Sequence, residues 1–147
     1  VDKNHKDNNE TAVFQTLLKN YASKAKFIPL NSKLLANKEL NLPFSVTLLS
    51  MGEDGHFASI FPEMFAEKNS VNPEGFPEIV TTKPLGSPKY SRITMNLALI
   101  LKSKSIFLLV HGENKIKTLK LAHSDPDLPV SSLLKAAHDK LIIDEIN

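Results

Sequence analysis

The chain has 147 residues, 41% of them apolar and 23% charged, which is the balance of one globular domain able to bury a core. It contains no cysteine, so disulfides, thiolate metal sites and cysteine nucleophiles are excluded and any chemistry must use oxygen and nitrogen groups. A net charge of +2, with lysines scattered among acids, argues against a nucleic-acid partner, and no apolar run reaches the roughly 18 residues of a membrane span or matches a signal peptide, so a cytoplasmic location is expected.

In chain order, Asn9 is expected to cap a helix through Val13, Phe14, Leu17 and Leu18, whose apolar positions share a face. Phe27-Ile28-Pro29-Leu30 reads as a strand end. Ser45-Val46-Thr47-Leu48-Leu49 is apolar on both faces, as a central strand covered on both sides should be. Seven Pro and Gly residues between Pro62 and Pro88 mark a mostly irregular stretch around one short strand, Ile79-Val80-Thr81. Arg92-Ile93-Thr94-Met95 leads into the apolar Leu97, Leu99, Ile100 and Leu101. Ser105 to Val110 is the second strong strand and ends at His111-Gly112-Glu113-Asn114-Lys115. A helix through Ile116, Leu119, Lys120 and Ala122, a short helix from Pro129 to Leu134 and a last strand at Lys140 to Ile143 complete the pattern. Strands alternating with helices imply an α/β fold: a Rossmann-like layered arrangement with a largely parallel sheet flanked by helices, in a single domain spanning 1–147.

Ligands of such sheets gather at the carboxyl ends of the strands, which brings Met51 to His56 together with His111 to Lys115. Gly52 and Gly55 permit unusual backbone conformations and close approach, Asp54 can bond the amides of its own turn, and His56 would stand near the start of a short helix. Amides in such a turn could receive an anion or a developing oxyanion. The spacing is not that of a dinucleotide fingerprint, since Ser50 stands where its first glycine would be, nor of a nucleotide P-loop. No second histidine lies at zinc-ligand spacing from His56, and no Gly-x-Ser-x-Gly elbow occurs. A histidine after a turn also commonly caps or packs. Arg92, the one arginine among 18 basic residues, offers planar forked donors, although a surface ion pair explains it as well.

The stretch "LLSMGEDGHFASIFP" resembles the Leu-Leu-Gly-Met-Gly-x-Asp-Gly-His-Thr-Ala-Ser-Leu-Phe-Pro signature of 6-phosphogluconolactonases, lactone hydrolases of the pentose phosphate pathway. "SPKYSRITMNLALI" is similar to that family's Ser-Pro-Lys-Pro-Pro-x-x-Arg-Ile-Thr segment, and "FLLVHGENKIKTLKLA" to its strand, glycine and lysine helix. "DLPVSSLL" resembles its Pro-x-Ser-x-Leu ending, and "VDKNHKDNNETAVFQTLL" its stretch ending in His-x-Asp-Ser-Asn. The likeness runs over nearly the whole chain. It departs at Ser50, which replaces a glycine, and at Tyr90-Ser91, which replace a proline-rich pair. The family's upstream Ser-Gly-Gly-Ser-Thr-Pro loop and Asp-Glu-Arg motif do not occur here, so the N-terminal part of the family fold is expected to be absent and the chain to be a C-terminal portion that is inactive alone.

The resemblance implies hydrolysis of 6-phospho-D-glucono-1,5-lactone to 6-phospho-D-gluconate without cofactor or metal, with a phosphosugar lactone as the partner molecule. His56 would be the general base for water, Asp54 would orient base or water or simply shape the turn, and amides around Gly52 and Gly55 would stabilise the oxyanion. Lys89 matches the family lysine that contacts the substrate phosphate. Arg92 would be a second phosphate group or would fix this loop. His111, His123 and His138 read as surface or packing residues, and Lys115 as an exposed helix lysine or a further site group. The alternatives are a glucosamine-6-phosphate deaminase-like enzyme or a non-catalytic sugar-phosphate-binding domain. The deaminases place a catalytic glutamate five residues after the histidine, where this chain has Phe61. The sequence leaves the oligomeric state open.

Overall fold

The computed structural model describes residues 5, 7–35, 40–66 and 69–146, and the chain divides into two compact units, Val1–Leu30 and Asn31–Asn147. The start of the first resemblance segment, residues 1–4 and 6, lies outside the described residues.

The first unit holds one short helix, α1 (Asn9–Gln15). Its cap is Asn8, one residue before the expected Asn9: Asn8 is extended, and its side-chain oxygen accepts from the amides of Glu10 at 2.8 Å and Thr11 at 3.4 Å. The helix stops before Leu17 and Leu18. Thr16 turns its hydroxyl back onto the Ala12 carbonyl at 2.7 Å and leaves ideal helical geometry. Phe27–Leu30 forms no strand, contrary to expectation. Phe27 packs instead edge-on against Phe14, with ring centroids 4.9 Å apart, so its apolar character serves a local aromatic pair.

The second unit is built on a three-stranded parallel sheet in the order β1-β4-β5, formed by β1 (Phe44–Ser50), β4 (Ser103–His111) and β5 (Leu141–Ile146). Leu49 lies beside Leu108, and Leu108 beside Ile143. Parallel neighbours require crossovers. The first passes through an antiparallel ribbon of β2 (Ile79–Thr81) and β3 (Ile93–Met95), then the short helix α2 (Leu97–Ile100). The second passes through α3 (Glu113–Leu121) and α4 (Pro129–Ala136), the latter opened by a proline in its first turn.

Period-two alternation assigns the sheet's inner face. Ile106, Leu108 and Val110 are fully buried and cluster with Ile116 and Leu119 of α3 and Val130 and Leu133 of α4, so both helices lie on that face. The opposite face differs from expectation. Val46 is 56% exposed and Leu48 65%, and β1 is an edge strand of the described sheet rather than one covered on both sides. Its pattern is that of a doubly buried strand, but α3 and α4 cover only one of its two faces. No helix among the described residues is long and apolar enough to cross a membrane.

Asn96 joins the ribbon to the core. It is fully buried, and its side-chain oxygen accepts from the amides of Glu78 and Leu99, each at 3.0 Å, capping α2. Its amide nitrogen donates to the carbonyls of Phe76 at 2.7 Å and Asn69 at 3.3 Å. Removing it orphans the buried Leu99 amide, at a cost of about 1–3 kcal/mol, and strips partners from three part-buried backbone groups. Asn96→Ala should therefore lower unfolding free energy by about 2–4 kcal/mol in urea titration, and an unchanged midpoint would contradict this role.

Candidate active site

β1 ends at Ser50 and the chain turns at once through Met51–His56, at the same end of the sheet where β4 runs into Gly112 and α3. Two bonds close the turn: the Gly55 amide donates to the Gly52 carbonyl at 3.1 Å, and the Gly52 amide donates to the His56 carbonyl at 2.8 Å. Within it the carboxylate of Asp54 meets His56 twice, accepting from the His56 backbone amide at 3.2 Å and lying 2.6 Å from imidazole Nδ1. A carboxylate only accepts, so Nδ1 is the donor of this contact, and in the neutral ring that tautomer leaves the lone pair on Nε2. Both side chains are reachable, with relative exposures of 34% for His56 and 49% for Asp54.

Gly52 makes this pairing sterically feasible. A Cβ there would lie 2.3 Å from both Cε1 and Nδ1 of His56 and 2.6 Å from the Asp54 carboxylate. Gly55 has φ +77°, and a Cβ would also press on Leu128 at 3.3 Å. The amides of Gly52 and Gly55 themselves donate inside the turn, so these two are not directed at an oxyanion.

The turn is bolted to both helices. Thr118 of α3 donates its hydroxyl to the Glu53 carbonyl at 2.7 Å, and the Asn114 side chain donates to the Glu53 carboxylate at 3.3 Å. The two strand-end segments expected to meet are thus joined, although by Asn114 and Thr118 rather than by His111 or Lys115. On the other side the Val130 amide at the start of α4 donates to the Gly55 carbonyl at 3.0 Å. No helix starts at His56, because Ala58 and Ser59 both have positive φ, 51° and 74°, and the short 3-10 helix follows only at Pro62–Ala66. Left-handed backbone costs non-glycine residues about 1–2 kcal/mol each; the fully buried Phe57 and Ile60 on either side, and the Thr94 hydroxyl donating to the Ala58 carbonyl, offset it.

Phe61 lies against the histidine itself. Its buried ring sits 4.6 Å from the imidazole at 36°, and the Arg92 guanidinium lies 5.3 Å from its centroid. Arg92 is turned inward: Nη1 donates to the carbonyls of Leu85 and, at 3.2 Å, Tyr90, and Nη2 donates to that of Pro88 at 3.0 Å. It holds its loop through backbone carbonyls, and among the described residues it makes no ion pair. Lys89 lies in the same loop, exposed, with no hydrogen bond or ion pair among the described residues. Gly52, Asp54, Gly55 and His56 therefore form one constellation, Arg92 reaches it through Phe61, and Lys89 makes no contact with it among the described residues. Of the other histidines, His111 and His123 are exposed, and His138 sits at 3.2 Å from Asp139 at the surface.

Sequence reasoning gave no role to Thr94 or Thr118 and took Asn114 only as part of the segment His111 to Lys115, since nothing in their local sequence marks them out. A cavity of about 500 Å³ lies elsewhere, lined by Ala122, Ser131, Leu134 and Ile143 among others, and shares no residue with the turn. Among the described residues no three His, Cys, Asp or Glu side chains gather as metal ligands would.

Sheet and turn together define an α/β protein with a histidine–aspartate site at the carboxyl end of a parallel strand. Residues 1–143 match the model of the glucosamine-6-phosphate isomerases/6-phosphogluconolactonase family, and the chain belongs to that family. It is 32% identical to a 6-phosphogluconolactonase of Helicobacter pylori over 159 aligned positions, covering 99% of this chain and 66% of that protein. A Pseudomonas aeruginosa 6-phosphogluconolactonase is 31% identical, with 92% and 63% covered. A crystal structure of a 6-phosphogluconolactonase from Shewanella baltica superposes with a TM-score of 0.78 at 28% identity, covering 99% of this chain and 66% of that one. The Trypanosoma brucei enzyme of the same name superposes with a TM-score of 0.57 at 27% identity, covering 99% and 55%. The chain thus spans just under two thirds of the length of the relatives it matches.

The two glycines should respond differently to the same substitution. Gly55→Ala forces a left-handed alanine against Leu128 and should cost about 1–2 kcal/mol of stability in urea titration. Gly52→Ala meets only half-exposed side chains, which can swing aside; it should cost less than about 1 kcal/mol yet part the His56–Asp54 pair, visible as shifted His56 ring resonances. Equal stability losses with an unmoved ring would refute this division.

Proposed function

We propose that this site hydrolyses 6-phospho-D-glucono-1,5-lactone to 6-phospho-D-gluconate in the pentose phosphate pathway. The observation that carries the reading is the 2.6 Å contact between His56 Nδ1 and Asp54 at the end of β1, in a chain of this family. Asp54 holds the Nδ1 proton, so Nε2 is the basic atom and accepts a proton from water as its oxygen attacks the C1 carbonyl. The carbonyl electron pair moves to oxygen, the tetrahedral intermediate collapses, and the ring C1–O5 bond breaks with the imidazolium returning its proton to O5. The products are balanced: one water enters, the ester bond opens, and the histidine is regenerated.

Lys89, an exposed flexible point charge, is suited to the phosphate dianion. The deaminase alternative finds no support at Phe61. Where that chemistry calls on a carboxylate, this chain has an apolar ring, 3% exposed, packed against the histidine.

Two measurements on the complete polypeptide that carries this sequence test the reading. His56→Ala should lower turnover of the lactone by about 10²- to 10⁴-fold with little change in KM, after subtraction of spontaneous hydrolysis; turnover like that of the parent would eliminate His56 as the base. Lys89→Ala should weaken binding of 6-phosphogluconate by about tenfold while changing gluconate binding less than about twofold. A parallel loss for both ligands would mean that Lys89 supports the loop and does not meet the phosphate.

A further inference from the structure

Three contacts link the basic atom of the site to the loop that bears Lys89. The His56 ring rests against Phe61 at 4.6 Å, the Arg92 guanidinium rests against the same ring at 5.3 Å, and that guanidinium gathers the carbonyls of Leu85, Pro88 and Tyr90. These carbonyls bracket Lys89 on both sides in sequence. Gly86, with φ +79°, brings the loop so close that a Cβ would lie 2.9 Å from two carbons of the Phe61 ring and 3.2 Å from Arg92 Nη1. The root of the loop is fixed as well: the Thr82 amide donates to the Arg92 carbonyl at 2.8 Å, and the Arg92 amide to the Thr82 hydroxyl at 3.0 Å.

We propose that Arg92 is a positioning residue which, through Phe61, holds the Lys89 loop in fixed register with His56, and so sets the span between hydrolytic base and phosphate-binding lysine. The proposal rests on the functional reading above. Three of the five guanidinium N–H donors already serve backbone carbonyls, a geometry that requires a planar fork and that a lysine ammonium cannot reproduce. Holding the loop backbone bounds the separation of reacting carbonyl and phosphate that the flexible lysine can serve, so sugar phosphates whose carbon chain lies outside that reach would fit one contact and miss the other.

The test compares Arg92→Lys with Arg92→Ala, at a temperature well below the melting point of each. A positioning role predicts that both variants lose affinity for 6-phosphogluconate to the same extent, about tenfold, and that backbone ¹⁵N relaxation shows residues 85–90 becoming mobile in Arg92→Lys although the charge is kept. Rescue of affinity by lysine, with the loop as rigid as in the parent, would overturn it and make Arg92 a charge contact for the phosphate. Phe61→Leu, which stays apolar but removes the ring and leaves Arg92 intact, should loosen the same loop in part; an unchanged loop would also overturn the proposal. If the parent protein binds no 6-phosphogluconate, the functional reading fails, and the relaxation comparison still decides whether Arg92 and Phe61 hold the loop.

Discussion

The site depends on a place where no side chain stands. His56 and Asp54 approach within 2.6 Å because the backbone at Gly52, over which they close, carries no Cβ. That vacancy lets the imidazole and the carboxylate meet in this orientation at the end of β1. The turn has only a few hydrogen bonds of its own. Its position comes from outside: α3 grips Glu53, α4 grips Gly55, and β3 reaches Ala58 through Thr94. Each bond is modest, about 1 kcal/mol net, but they come from three elements anchored in the core, which leaves the turn little freedom to drift.

Backbone strain lies beside this constellation. Ala58 and Ser59 adopt left-handed conformations that the burial of Phe57 and Ile60 holds in place. The effect is to turn the chain sharply after His56, so that Phe61 returns beneath the imidazole instead of continuing away along a helix. That return creates the contact with Arg92 and links two loops far apart in sequence.

The strongly patterned parts of the molecule were legible before the structure. β4 follows from Ser105 to Val110, α4 from Pro129 and the apolar positions after it, and the parallel sheet from the alternation of strands with helices. The turn at Met51–His56 was legible because two glycines and an aspartate interrupt an apolar run. What could not be read depends on backbone groups or on distant partners. Carbonyls have no residue signature, so nothing announced that Arg92 would turn inward to Leu85, Pro88 and Tyr90. Alanine and serine do not advertise positive φ, so a helix was expected after His56. Phe27–Leu30 had strand composition, but its phenylalanine found Phe14. β1 shows the converse: its sequence describes a strand buried on both faces, while Val46 and Leu48 stand exposed.

The central claim is that Asp54 holds the Nδ1 proton of His56 and leaves Nε2 as the base. The most direct measurement is ¹⁵N NMR of the imidazole nitrogens of His56 at a pH where the ring is neutral, in the parent protein and in Asp54→Asn. The account predicts a protonated Nδ1 and an unprotonated Nε2 in the parent, with that preference weakened when the carboxylate is lost. A neutral ring carrying its proton on Nε2, or one indifferent to the Asp54 substitution, would contradict it.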